Sequence, residues 1–176
     1  MELPQRKKNR LARYDYSRAG YYFVTICAKD RAELFWDLSD GVVFGHEPTV
    51  GAACGRPPLS EAGACVRSEI DHLSHVYDTI SVDKYVIMPN HIHMILRIDT
   101  VDGGRPQAAP TVSRIVNQFK GAVTKKAGVS VWQKSFHDHV IRSHADYLRI
   151  WTYIDTNPSK WREDCYYTES AEEAIT

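Results

Sequence analysis

His91 and His93 flank a single isoleucine, and Tyr153 precedes Asn157 by about one helical turn; these are the residues whose types and spacing can do chemistry. Side chains of a strand alternate between faces, so His91 and His93 point one way while Ile92, Met94, Leu96 and Ile98 point the other. Two imidazoles so placed on an exposed sheet face can share one cation. Two strand histidines with no ligand fit the same spacing. In YLRIWTYIDTNP (residues 147–158), Tyr147, Ile150, Trp151 and Ile154 make an apolar stripe at helical spacing, with Tyr153 off its centre. Asn157 falls on the flank of Tyr153 if the helical turn persists that far. A phenol beside an amide oxygen can serve as nucleophile and third metal ligand. A half-buried tyrosine ahead of a helix-terminating Asn-Pro accounts for the same residues and is the plainer account. A third group, WQKSFHDH (132–139), can stack on bases or line a channel, or form an edge strand with a solvated face.

These residues need elements to position them. YYFVTICA (21–28) is β-branched and aromatic and reads as a buried strand. Ser60 can cap a helix with Ala62, Val66, Ile70 and Leu73 on one face. Two apolar runs, 79–88 and 91–98, are separated only by Pro89-Asn90, which reads as a hairpin turn. Thr111 caps a second helix carrying Val112, Ile115, Val116, Phe119 and Val123, and Gly128 can end it. Residues 131–143 contain another strand, and a last helix spans about 145–155, stopped by Pro158. The stretches 39–58 and 99–110, rich in Gly and Pro, read as loops. The order β-α-β-β-α-β predicts an α+β fold, the ferredoxin-like split βαβ arrangement: an antiparallel sheet with helices on one face, plus an additional C-terminal helix carrying the tyrosine.

The 176 residues suit one domain, with a basic arm over about 1–19 and an acidic tail over about 162–176. Lys and Arg number 22, as do Asp and Glu, so the formal net charge at pH 7 is +0, which alone argues against a nucleic-acid partner. The distribution answers that objection, since arm and tail carry opposite signs and can leave a phosphate-binding face; a solvated terminus explains the arm as well. No apolar run approaches a bilayer span, and the N-terminus lacks the apolar core of a signal peptide, so a cytoplasmic protein with no membrane association is expected. Cys27, Cys54, Cys65 and Cys165 include no CxxC pair and are expected as free thiols, with Cys27 and Cys65 in the core.

Together the boxes resemble a family. VIMPNHIH (86–93) is similar to the histidine-hydrophobe-histidine (HUH) signature of the insertion-sequence-type single-tyrosine transposases, nearest to the REP-associated tyrosine transposases. RYDY (13–16) with YFVTIC (22–27) resembles their opening, VWQKSFHDHVIR (131–142) their segment before the last helix, and RIWTYIDTNP (149–158) their tyrosine helix. The boxes occur in family order and cover most of the chain.

The resemblance implies His91 and His93 as paired metal ligands, Tyr153 as nucleophile and Asn157 as third ligand, a position where relatives also carry Gln. It implies Mg²⁺ or Mn²⁺, no nucleotide cofactor, and cleavage and strand transfer of single-stranded or hairpin DNA through a 5′-phosphotyrosine. Candidate phosphate contacts are Arg6, Lys7, Lys8, Arg10, Arg13, Arg114, Lys120, Lys125 and Lys126, and Trp132 is a candidate base-stacking residue. A homodimer, pairing the histidines of one chain with the tyrosine of another, stays open beside a self-contained monomer. Two other functions fit the residues: a hairpin-binding module of the same fold without cleavage, and a small metal-dependent phosphoesterase with a water nucleophile.

Overall fold

The computed structural model describes residues 11, 13–38, 57–100 and 110–167. In chain order they form β1 (Gly20–Cys27), α1 (Glu61–Val76), β2 (Ile80–Ile87), β3 (His91–Ile98), α2 (Val112–Ala127), β4 (His137–Ile141) and α3 (His144–Thr156). The sheet order is β2-β3-β1-β4, and every neighbouring pair is antiparallel. This is the ferredoxin-like arrangement: α1 crosses from β1 to β2 and leaves a gap that β3 fills, and α2 carries the chain across to β4 on the far side of β1.

Each helix starts where a side chain caps free backbone donors. Ser60 accepts from the Gly63 N–H at 3.1 Å, Thr111 from Arg114 at 3.3 Å and Ser143 from Asp146 at 3.1 Å. Gly128, at φ 70°, supplies the left-handed residue that closes α2. Pro89 and Asn90 form the β2–β3 turn, as their composition predicts.

The register sorts the side chains. Tyr22, Val24 and Ile26 of β1 join Ile92, Met94, Leu96 and Ile98 of β3 on the face covered by α1 and α2, and all are buried. Phe23, Thr25 and Cys27 line up with Ile95, His93 and His91 on the other face, where His137 and His139 of β4 also sit. That second face is expected to be exposed, and it is not: His91 is 0% and His93 1% accessible. The cover is α3 and the 3₁₀ segment that continues it, Asn157–Glu163.

Polar ties hold α3 in place. A register shift between Val82 and Lys84 bulges β2. At the bulge Asp83 accepts the Tyr147 hydroxyl, while Lys84 pairs with Asp155 at 2.6 Å and lies 3.8 Å from the centre of the Trp151 ring. Only Ile150 and Ile154 of the expected stripe are buried; Trp151 is exposed on the flank, its ring occupied by Lys84 rather than by the core. Within 131–143 the strand is short, His137–Ile141, and Trp132 instead makes an isolated bridge to Ala28. Cys27 is buried as expected, but Cys65 is only partly so, and Cys54 lies outside the described residues, as does most of 39–58 and 99–110.

Candidate functional site

The hairpin turn and β1 fix the two imidazoles from behind. His91 Nδ1 lies 2.8 Å from Asn90 Oδ1, and His93 Nδ1 lies 2.8 Å from Thr25 Oγ1. The Asn90 amide nitrogen donates to the Tyr166 carbonyl at 2.8 Å, so its oxygen faces His91 as an acceptor. His91 therefore carries its proton on Nδ1 and presents a lone pair at Nε2. The two Nε2 atoms are 2.9 Å apart. Phe23 stacks on the His93 ring at 5.2 Å, and Trp161 and Tyr166 flank His91. Burial, reinforced by the Arg31 charge, pushes His91 down to about 3, and burial then the His91 charge hold His93 well below the usual histidine value, so both rings are neutral at pH 7.

The helix brings the phenol to this pair within one chain. Tyr153 Oη is 3.2 Å from His93 Nε2 and donates to Asp164 Oδ2 at 3.1 Å. The helical turn persists to Asn157, whose N–H bonds to the Tyr153 carbonyl, so the two side chains share a flank as the spacing predicts. Asn157 Nδ2 donates to the same Asp164 oxygen at 2.8 Å, while its Oδ1 is buried without a hydrogen-bond partner. Burial raises the Tyr153 phenol above its ordinary value; the Asp164 charge and hydrogen bond raise it further, and the Asn157 contact opposes them. With these neighbours alone the phenol is kept protonated.

A cation fits this donor set. Two neutral imidazoles turn Nε2 atoms toward each other at a ligand–ligand distance, with Nδ1 partners that fix the rings. A buried amide oxygen lacks a donor, which is costly unless something positive faces it. His91, His93 and Asp164 place one ligand atom each within 4.8 Å of one another, a cluster that could hold a metal ion. Asp164 was hidden in the acidic tail, eleven residues beyond Tyr153 in the chain. Thr25 and Asn90 were likewise missed, although an Asn beside His91 in a turn is a signal that can be read.

Among the described residues, the other candidates do not come to this site. Arg6, Lys7, Lys8 and Arg10 lie outside the described residues. Arg13, exposed at φ 64°, leads into Tyr16, whose carbonyl accepts the Val112 N–H at 3.2 Å at the start of α2. Arg114 and Lys125 are exposed on α2, across the sheet from the histidines, and Lys126 pairs with Glu69 at 3.3 Å. Lys120 is turned inward onto the Gln133 carbonyl, which removes it from the set of free cations. Trp132 is buried against Phe35 and Phe119, so its ring serves the core and not a base. Beside the phenol lie instead His139, from the segment that reads as a solvated edge, and Arg149. A cleft of about 330 Å³ runs from Tyr153 and His93 to His139 and Arg149. Asp146 bridges the last two, at 2.7 Å from each.

An uncharacterized protein of Haemophilus influenzae (strain Rd) is 30% identical to this chain over 186 residues, covering 95% of the chain and 96% of the relative. A second protein of that strain, named "Putative REP-associated tyrosine transposase", is 23% identical, covering 84% of this chain and 75% of its own length. Among solved structures, a REP-associated tyrosine transposase bound to a REP hairpin superposes with a TM-score of 0.57 at 21% identity, covering 86% of this chain and 74% of that one, which is a likeness of fold. No protein-family model matches the chain. Among the described residues, no helix is long and apolar enough to cross a membrane.

Proposed function

The chain belongs to the insertion-sequence-type single-tyrosine transposases, nearest the REP-associated kind, and from that membership we propose that it cuts and rejoins single-stranded DNA with Tyr153 as nucleophile. The observation that carries this reading is the 3.2 Å approach of the Tyr153 oxygen to His93 Nε2, beside a second imidazole 2.9 Å away. The substrate is a DNA hairpin with a single-stranded flank, in keeping with the hairpin bound by the solved relative. The protein works in the cytoplasm, where that DNA is.

His91, His93 and the Asn157 amide oxygen would hold a divalent ion, Mg²⁺ or Mn²⁺, whose charge when bound polarises a phosphate and favours a phenolate. Everything else falls to the chain's own groups. Thr25 and Asn90 keep the imidazoles in one orientation. Phe23, edge-on to Tyr153 at 6.2 Å, limits where the phenol can swing. Arg149 and His139 line the cleft where the strand next to the scissile phosphate would lie, and their N–H donors suit its backbone. In the step itself Tyr153 gives up its proton to solvent and its oxygen bonds to phosphorus. The P–O3′ bond breaks and the 3′ oxygen takes up a proton. A 5′-phosphotyrosine and a free 3′-OH remain, and a second 3′-OH can reverse the exchange without a nucleotide cofactor.

The test is a labelled hairpin DNA with a single-stranded flank, incubated with wild type or Tyr153→Phe, in Mn²⁺ or chelator, and run on denaturing gels. A metal-dependent, denaturant-resistant protein–DNA band in the wild type that is absent in Tyr153→Phe is the expected result. Tight hairpin binding with no adduct would make the chain a binding module. Cleavage that survives Tyr153→Phe would point to a water nucleophile.

A further inference from the structure

We propose that Asp164 is itself a ligand of the ion at His91 and His93, so that the protein's shell is two imidazoles, the Asn157 amide oxygen and one carboxylate. This rests on the reading above that a divalent ion binds there.

Asp164 is held in place like a site residue. The 3₁₀ turns after α3 reverse the chain, and Asp164 ends them with its N–H on the Trp161 carbonyl at 3.1 Å. Trp161 is buried against His91, and Tyr166 packs on the same imidazole at 4.5 Å while its carbonyl takes the Asn90 amide. The segment is thus fastened on both sides of Asp164 to the hairpin that carries the histidines. The carboxylate is oriented too. Its Oδ1 accepts the Tyr166 N–H at 2.7 Å, and its Oδ2 accepts from Tyr153 and Asn157. Outer hydrogen bonds of this kind are what aim a ligating carboxylate.

Charge supplies the second argument. His91 and His93 are neutral and Asn157 is an amide, so without Asp164 a doubly charged ion would have only neutral protein ligands. Hard divalent ions take carboxylate oxygen in preference, and a mixed imidazole–carboxylate set suits a first-row ion such as Mn²⁺. One carboxylate leaves a net positive charge at the ion, enough to attract a phosphate. The ligand atoms of His91, His93 and Asp164 already lie within 4.8 Å of one another.

The probe is Mn²⁺ alone, titrated into the full chain without DNA and followed by electron paramagnetic resonance of the free ion, with thermal melting as the fold check. The variants are Asp164→Asn, Asp164→Ala, His93→Ala and, as a charge control, the exposed neighbour Glu163→Gln. Expected are loss of measurable binding in His93→Ala, a Kd raised about tenfold or more in both Asp164 variants, and no change in Glu163→Gln. Should the isosteric Asp164→Asn and Asp164→Ala both bind within twofold of wild type while His93→Ala does not, Asp164 is no ligand and the histidine site stands. An equal loss in Glu163→Gln would reduce the effect to general tail charge and overturn the proposal. A wild type that binds no Mn²⁺ would sink the metal reading itself.

Discussion

Over His91–Ile95, β3 presents two faces that are both buried and built on opposite principles. On one, Ile92, Met94, Leu96 and Ile98 meet α1 and α2 through apolar contact alone. On the other, His91 and His93 are as inaccessible, yet their surroundings are hydrogen-bonded: Asn90, Thr25, Tyr153 and, one contact further, Asp164 and Asn157. Apolar packing tolerates small shifts, because its contacts are many and weak. A polar network in low dielectric is costly wherever one group loses its partner. The first face holds the molecule together, and the second holds a handful of atoms in fixed relation.

The comparison breaks most visibly if the two faces fail in the same way. Leu96→Ala should cost about 2–5 kcal/mol of stability, read from urea unfolding, and leave any DNA adduct intact under conditions where the variant is folded. His93→Ala should instead lower adduct formation by about 10³-fold with a much smaller change in unfolding midpoint. Similar stability losses in both, with activity tracking stability, would show that the histidine face is ordinary core.

Acid provides a second test. The folded values of His91, about 3, and of His93 are depressed, so the unfolded chain binds more protons below the ordinary histidine value of 6.5. Stability from this source is fully present above about 6.5 and is lost as pH falls toward 3, by a few kcal/mol at pH 4 as an order of magnitude. In His91→Gln the fall of melting temperature between pH 7 and 4 should be shallower than in wild type. An unchanged slope would mean that His91 is not buried in neutral form.

The smallest effect sharpens the comparison. Thr25→Val keeps the shape of β1 and removes the hydroxyl behind His93, so Mn²⁺ affinity should fall by about tenfold while the melting temperature stays within a few degrees. Unaltered affinity would leave the hydroxyl without a role in holding the imidazole.

What could be read from the chain alone follows the same division. The apolar face was legible because periodicity records it: caps at Ser60 and Thr111, the left-handed Gly128, the Pro89-Asn90 turn and the alternation in β3 all appear where expected. His91, His93, Tyr153 and Asn157 were legible as types and spacings. Their burial was not, because alternation tells which side chains share a face and not what later folds over it. Asp164 was illegible for the same reason, since a 3₁₀ reversal after a proline carries no periodic signal. Trp132 misled because its neighbours are polar, while the bridge to Ala28 turns the ring inward.

Only Arg142 and Ser143 join His137–Ile141 to His144–Thr156, so α3 begins directly after the strand paired with β1. In this arrangement Tyr153 meets the histidines of its own polypeptide. Initial rates should be first order in protein down to high dilution, and an equimolar mixture of His93→Ala and Tyr153→Phe chains should stay as inert as either alone, with no complementation between them.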